Sequence, residues 1–159
     1  MHAPAKAKIL VVEDEPSIQQ VLCFFLNHNG FEVLGVSNGQ DAIRAISEFE
    51  PQLVILDLIM RPVSGWDVLT WLRVNRPPSS LPVIVLSALV NLKEQMHGFE
   101  EGAIEYITKP TQPSAIVERV RTILAMSTEQ RRLLQLKRLD DQRQTLARLS
   151  RKQRDEFVY

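Results

Sequence analysis

The chain of 159 residues is 45% hydrophobic, which is enough to form the core of one domain with an appendage. Its single cysteine excludes an intrachain disulfide, and neither a signal-peptide pattern at residues 1–8 nor an apolar run of membrane length is found, so we expect a cytoplasmic protein. The 19 basic and 19 acidic residues cancel overall, but residues 1–126 carry a net charge of −4 and residues 127–159 carry +4. This asymmetry predicts a main domain over 1–126 followed by an extension over 127–159.

Short apolar segments alternate with longer amphipathic segments throughout residues 1–126. The apolar segments predict five strands, near 8–13, 31–36, 53–57, 83–87 and 103–108. The amphipathic segments predict five helices, near 16–28, 40–49, 65–75, 91–101 and 112–126. Strands that are apolar on both faces are typical of a parallel sheet covered by helices. We therefore predict an α/β fold, a doubly wound five-stranded parallel sheet with right-handed crossovers.

Four of the predicted strands end in a reactive polar side chain. These residues are Glu13 and Asp14 after the first strand, Asp57 after the third, Ser87 at the end of the fourth and Lys109 after the fifth. Ligands of such sheets bind just outside the carboxyl ends of the strands. Three carboxylates that lie close together repel each other unless they share a proton or a cation, and a cluster of oxygen ligands suits Mg²⁺. A helix-capping role is an alternative for Glu13, but it is a poor one for Asp57, because apolar Leu58-Ile59-Met60 follow it and no helix begins there.

The polar strand ends belong to longer motifs that resemble a known family. The motifs are Val11-Val12-Glu13-Asp14-Glu15-Pro16, Leu56-Asp57-Leu58-Ile59-Met60 with Gly65 eight residues after the aspartate, Leu86-Ser87-Ala88, and Gly102-Ala103 leading to Tyr106-Ile107-Thr108-Lys109-Pro110. In this order and spacing they resemble the receiver domain of two-component response regulators over roughly residues 7–125. The resemblance implies the flavodoxin-like strand order 2-1-3-4-5, which places strands one and three side by side.

The resemblance also implies a role for each carboxylate. Asp57 would accept a phosphoryl group from a phosphohistidine on a sensor histidine kinase or a phosphotransfer protein. Asp14, Asp57 and the backbone carbonyl of Ile59 would bind Mg²⁺, and Glu13 would act mainly through a bound water. The chain would therefore be a phosphoacceptor with self-catalysed phosphotransfer and slow autodephosphorylation, and not an enzyme that acts on a separate substrate.

Three further residues have roles implied by the resemblance. Lys109 would neutralise one phosphoryl oxygen and Ser87 would hydrogen-bond another, as expected for a reaction that needs positioning and charge neutralisation. Tyr106 resembles the switch aromatic of the family, which moves inward as Ser87 is drawn to the phosphate. The peptide bond between Lys109 and Pro110 would be cis.

Two other functions, flavin binding and phosphatase activity, fit the residues less well than a phosphorylated switch does. The anionic loop after the first strand is unsuited to a flavin phosphate, and an aspartyl phosphatase would need an acid at Ile59. The chain departs from the family at Arg61, where a proline is common, with Pro62 following one residue later. The alternatives that stay open are a degenerate receiver, acting as a constitutive interaction or dimerisation module, and a receiver fragment of a larger regulator.

Residues 127–159 predict an amphipathic helical extension. Its apolar stripe is formed by Leu136, Leu139, Leu146, Leu149 and Phe157, and Ser127 with Gln130 predicts a capping box, hence a break near residue 127. We predict a homodimer through this helix, the alternative being that the basic extension packs on its own acidic domain. Nucleic acid is not expected as a partner, because acidic residues are interspersed among the basic ones and the stripe is aliphatic. The partners implied by the resemblance are a sensor histidine kinase or phosphotransfer protein and a downstream protein target.

Overall fold

Five parallel strands form a single sheet in the computed structural model, which describes residues 5–76, 80–89 and 91–156. The strands are β1 (Lys8–Val12), β2 (Glu32–Val36), β3 (Leu53–Leu56), β4 (Val83–Ser87) and β5 (Glu105–Thr108). Their spatial order is β2-β1-β3-β4-β5, which confirms the predicted order. Val12 pairs with Leu56, so the residues that follow β1 and β3 emerge side by side at one edge of the sheet.

The described residues also form six helices, which accompany the sheet. They are α1 (Pro16–His28), α2 (Gly39–Glu48), α3 (Gly65–Asn75), α4 (Leu92–Glu100), α5 (Pro113–Leu124) and α6 (Thr128–Glu156). Pro16 begins α1, where its missing N–H costs nothing, and Ser64 with Asp67 forms a capping box at the start of α3. The predicted doubly wound α/β fold is confirmed. No helix in the described part of the chain combines the length and apolarity needed to cross a membrane.

The core consists of two apolar layers, one on each face of the sheet. On one face, residues of β1, β3 and β4 pack with α2 and α3, as with Leu10, Leu56 and Val85. On the other face, the alternating residues of the same strands pack with α1 and α5, as with Val11 and Ile55. Successive strand residues point to opposite faces, so both layers require apolar side chains and the strands are apolar throughout.

Helix α6 begins at the predicted capping box and then lies along α4. The Gln130 amide donates to Ser127 Oγ at 3.1 Å, and the Ser127 amide donates to Gln130 Oε1 at 2.8 Å. This reciprocal pair confirms the break near residue 127. The extension therefore returns over its own domain, which was the alternative to a dimer, through a contact between α4 and α6.

The predicted apolar stripe of α6 is partly wrong. Leu139 and Leu146 are half-buried, but Leu136 and Leu149 are 50% and 43% exposed. Leu134 packs against the core instead. The helix docks through polar side chains as well as leucines, and its half-buried face does not include Leu136. Phe157 lies outside the described residues.

Candidate functional site

The ends of β1 and β3 bring the predicted acidic residues together. The Asp57 amide donates to the Val12 carbonyl, and the Glu13 amide donates to the Val36 carbonyl, both at 3.0 Å, so the ladders of the sheet continue to the residues after the strands. The side chains of Glu13 and Asp57 are buried, whereas Asp14 is exposed. Carboxylate oxygens of Glu13, Asp14 and Asp57 lie within 4.8 Å of one another. The predicted cluster is therefore present.

Lys109 reaches this cluster from the end of β5. Its Nζ lies 2.9 and 3.0 Å from the two carboxylate oxygens of Glu13 and 3.3 Å from Asp57 Oδ2. The Lys109 amide donates to the Ser87 carbonyl at 2.9 Å, which fixes the root of the side chain at the end of β4. The Lys109–Pro110 peptide bond is cis, as predicted from the resemblance, and the Arg61–Pro62 bond is cis as well. One cation thus contacts two buried acids at the carboxyl edge of the sheet.

Burial and crowding of charge change the acidity of the groups in this cluster. The pKa of Glu13 is raised to about 7, mainly by burial and in part by the Asp57 charge, although the hydrogen bond from Lys109 lowers it. For Lys109 burial disfavours the charged form, but the hydrogen bond to Glu13 and the charge of Asp57 outweigh it and raise the pKa. Three carboxyl groups face a single ammonium group in this cluster, so an additional cation would reduce the repulsion among them.

The donor set fits Mg²⁺, a hard cation that prefers carboxylate oxygens and keeps several waters. The exposed Asp14 lies on the solvent side, where a hydrated ion can enter. The Ile59 amide donates to Asp57 Oδ1 at 3.1 Å, which places the Ile59 backbone at the site. The role of the Ile59 carbonyl as a ligand stays a prediction.

Ser87 and Tyr106 meet at the loop after β4. Ser87 is fully buried, and its Oγ accepts from the Leu89 amide at 3.3 Å. The Tyr106 hydroxyl donates to the Leu89 carbonyl at 3.0 Å. Burial raises the pKa of the Tyr106 phenol, which therefore stays neutral. The predicted switch residues thus contact the same residue, Leu89, one at its amide and the other at its carbonyl.

Two residues with defined roles in the structure, Gln19 and Glu105, are not among the predicted site residues. Gln19 of α1 donates from Nε2 to the carbonyls of Glu13 and Val36, at 2.8 Å each, and so holds the end of β1; nothing in the sequence distinguishes it from a surface glutamine. Glu105 is buried at the start of β5 and is paired with Arg138 and Arg119. An acid at the start of an apolar strand was a usable signal for it.

Comparisons with known proteins agree with this geometry. The sequence model of the response regulator receiver domain matches residues 9–121. The DNA-binding response regulator MtrA of Mycolicibacterium smegmatis is 35% identical over 125 residues, which cover 79% of this chain and 54% of MtrA. The probable transcriptional regulator ycf27 of Pyropia yezoensis is 39% identical over 119 residues, or 75% of this chain and 48% of that protein. The chain thus spans about half the length of the curated relatives it matches.

A solved structure of similar fold extends the comparison. The response regulator receiver domain protein of Clostridium thermocellum superposes with a TM-score of 0.68 at 32% identity, over 74% of this chain and 94% of that one. The residues 9–121 that match the sequence model include Glu13, Asp14, Asp57, Ser87 and Lys109. The chain belongs to the family of response regulator receiver domains.

Proposed function

We propose that the chain is a phosphorylation-dependent switch that accepts a phosphoryl group on Asp57. The observation that carries this proposal is the contact of Lys109 Nζ with both Asp57 and Glu13 at the carboxyl edge of the sheet. An Asp57 carboxylate oxygen would attack phosphorus as the bond between phosphorus and the kinase histidine nitrogen breaks, and the nitrogen would keep the electron pair. Lys109 and the Ser87 hydroxyl would each bind one phosphoryl oxygen.

Mg²⁺ completes the proposed site. Asp14 and Asp57 would hold it with the Ile59 carbonyl, and Glu13 would hold one of its waters. When bound, the ion would neutralise the charge of the phosphoryl group. The proposed partners are a sensor histidine kinase or phosphotransfer protein and a downstream target that reads the switched surface. Residues 9–121 match the family, so we propose 1–126 as the receiver and 127–159 as its extension.

The test maps the acyl phosphate on the native chain. After incubation with Mg²⁺ and acetyl phosphate, borohydride reduction converts a phosphoaspartate to homoserine, which peptide mass spectrometry locates. We expect homoserine at position 57 alone, and none when EDTA replaces Mg²⁺. Modification at another acid, or labelling without Mg²⁺, would overturn the proposed site. No labelling from either acetyl phosphate or a kinase would favour a constitutive interaction module instead.

The lifetime of the phosphoryl group should be long. A hydrolytic water needs a polar neighbour to orient it, but Ile59 and Leu89 are apolar, and Ile59 is 52% exposed beside Asp57. Loss of the phosphoryl group should take on the order of minutes to hours. Ile59→Asn and Leu89→Glu should speed it several-fold, whereas the same kind of change at exposed Val74, Val74→Asn, should not. Equal decay rates in all four chains would contradict the prediction.

Tyr106 should transmit the phosphorylated state without taking part in the chemistry. Its hydroxyl binds the Leu89 carbonyl, not the carboxylate cluster. The Tyr106→Ala chain should therefore be labelled at Asp57 at the wild-type rate. The change in amide exchange of α4 that beryllofluoride induces in the wild type should, however, be lost. Labelling and response that fail together would show a misfolded chain instead of a broken switch.

A homodimer through α6 is a further part of the proposal. Leu133 and Leu136 are 53% and 50% exposed, on the side of the helix turned away from α4. Burying them against a second copy would stabilise a dimer. Light scattering should give twice the chain mass, and Leu136→Gln should return it to the monomer while the adjacent Lys137→Gln does not. A monomer both with and without beryllofluoride would rule the dimer out.

A further inference from the structure

Helix α6 has one face against the receiver and a free end. Its half-buried residues recur at 131, 134, 135, 138, 139, 142, 145 and 146, which is the spacing of a single helical face. From 147 to 156 every residue is exposed. About four turns of α6 therefore lie on the receiver and the last ten residues project beyond it.

Three side-chain contacts hold α6 against the receiver; we call this contact the dock. Gln135 Nε2 donates to the Phe99 carbonyl at the end of α4, at 3.1 Å. Arg138 Nη2 donates to Glu105 Oε2 at 2.7 Å, and Arg119 of α5 lies 3.6 Å from the same oxygen. Arg131 Nε donates to the Ile123 carbonyl of α5 at 3.1 Å. Helix α6 thus contacts both α4 and β5 through hydrogen bonds.

The residues that α6 grips are neighbours of Tyr106. Glu105 precedes Tyr106 directly, and the rings of Phe99 and Tyr106 have centroids 6.5 Å apart. Gly98 leaves room for the tyrosine, because a Cβ there would lie 3.2 Å from Cδ2 of its ring. A movement of the Tyr106 ring must therefore change the contacts of the same turn of α4 and the same end of β5 that hold α6.

The dock is also weaker than an ordinary helix contact of this fold. Helix α5 buries four apolar residues fully, whereas α6 buries none. Among the described residues, Arg138 Nε and Gln142 Oε1 are buried without a hydrogen-bond partner. Unpaired buried polar atoms oppose docking. A contact of this kind can open at a modest cost, as segments that move in regulation must.

We propose that α6 is an internal ligand of the α4–β5 face, which covers that face in the resting chain and leaves it when Asp57 is phosphorylated. The switch half of this inference rests on the proposed function, but the docking half does not. A partner that replaces α6 must offer the same chemistry, namely a cation for Glu105, a donor for the Phe99 carbonyl and an apolar stripe.

The docking half is tested by amide hydrogen exchange of residues 131–146 in the full, unphosphorylated chain. Arg138→Gln should raise the exchange rate roughly three- to tenfold, because Glu105 loses the closer of its two cationic partners. The matched control is Arg143→Gln, the same substitution at an exposed site of the same helix, which should leave the rate unchanged. Equal rates in the two variants would overturn the dock.

The switch half is tested by adding Mg²⁺ and beryllofluoride, a stand-in for the phosphoryl group. Protection of residues 131–146 should fall in the wild type and stay constant in the Asp57→Asn chain. Homoserine at position 57 with unchanged protection of α6 would overturn this inference and leave the proposed function intact. Absence of homoserine would overturn the proposed function and the switch together, while the Arg138 comparison would still decide the dock.

Discussion

The Asp57→Asn chain is expected to incorporate no phosphoryl group from acetyl phosphate at any Mg²⁺ concentration. The amide keeps the shape of the side chain and can still accept the hydrogen bond from the Ile59 amide, which is 3.1 Å long in the native chain. It offers no carboxylate oxygen to attack phosphorus, however, and it removes one ligand from the proposed metal site. The labelling rate should therefore fall below detection, at least about a thousandfold below that of the native chain.

The control for this experiment is Asp141→Asn, the same substitution at an exposed acid of α6. It should be labelled at the wild-type rate. Circular dichroism should show both variants folded, so that a loss of labelling in Asp57→Asn reports chemistry alone. Wild-type labelling of Asp57→Asn would mean that another residue is the phosphoacceptor.

The Gly65→Ala chain is expected to lose about 3 kcal/mol or more of its free energy of unfolding. A Cβ at this position would collide with the Asp57 carbonyl oxygen and lie 2.6 Å from Leu58 Cα. Both obstacles are backbone, so relief requires moving either the start of α3 or the loop that carries Asp57. The Gly65 amide also donates to the Leu58 carbonyl at 3.1 Å, which would be stretched by that movement.

Denaturant unfolding measures this loss, and Gly30→Ala provides the comparison. Gly30 has a φ of 92° but no heavy atom within 4 Å of an added Cβ, so its substitution should cost only the backbone term of about 1–2 kcal/mol. Labelling at Asp57 should also be reduced in Gly65→Ala and normal in Gly30→Ala. A smaller loss of stability in Gly65→Ala than in Gly30→Ala would contradict the steric explanation.

The sheet and its site follow from the sequence because both are encoded locally. The strands β1, β3 and β4 are short, almost wholly apolar runs. Glu13 and Asp57 stand directly after two of these runs, so the sequence alone predicts that they lie at one edge of the sheet. The pairing of β1 with β3, which brings them into contact, follows from the family resemblance and is confirmed by the register of Val12 with Leu56.

The contacts of α6 could not be read in the same way. Which face of α6 packs inward depends on the hydrogen-bond acceptors that α4 and β5 offer. Arg138 donates to Glu105, and Gln135 donates to a backbone carbonyl. Hydrophobic periodicity ranks Leu136 above either polar residue, although Leu136 is half exposed. The role of Gln19 is not predictable from the sequence either, because it depends on carbonyls that only the folded chain brings within reach.

The capping box at Ser127 and Gln130 marks the point about which α6 can rotate as a rigid rod. A helix of 29 residues is about 44 Å long, and α6 begins immediately after the non-helical link that separates it from α5. A rotation of α6 by about 10° about its first turn would displace its far end by roughly 8 Å, given the length that follows from the rise per residue. A rearrangement at Glu105 and Phe99 too small to alter the fold would thus become a displacement larger than the width of a side chain at the tip of the helix.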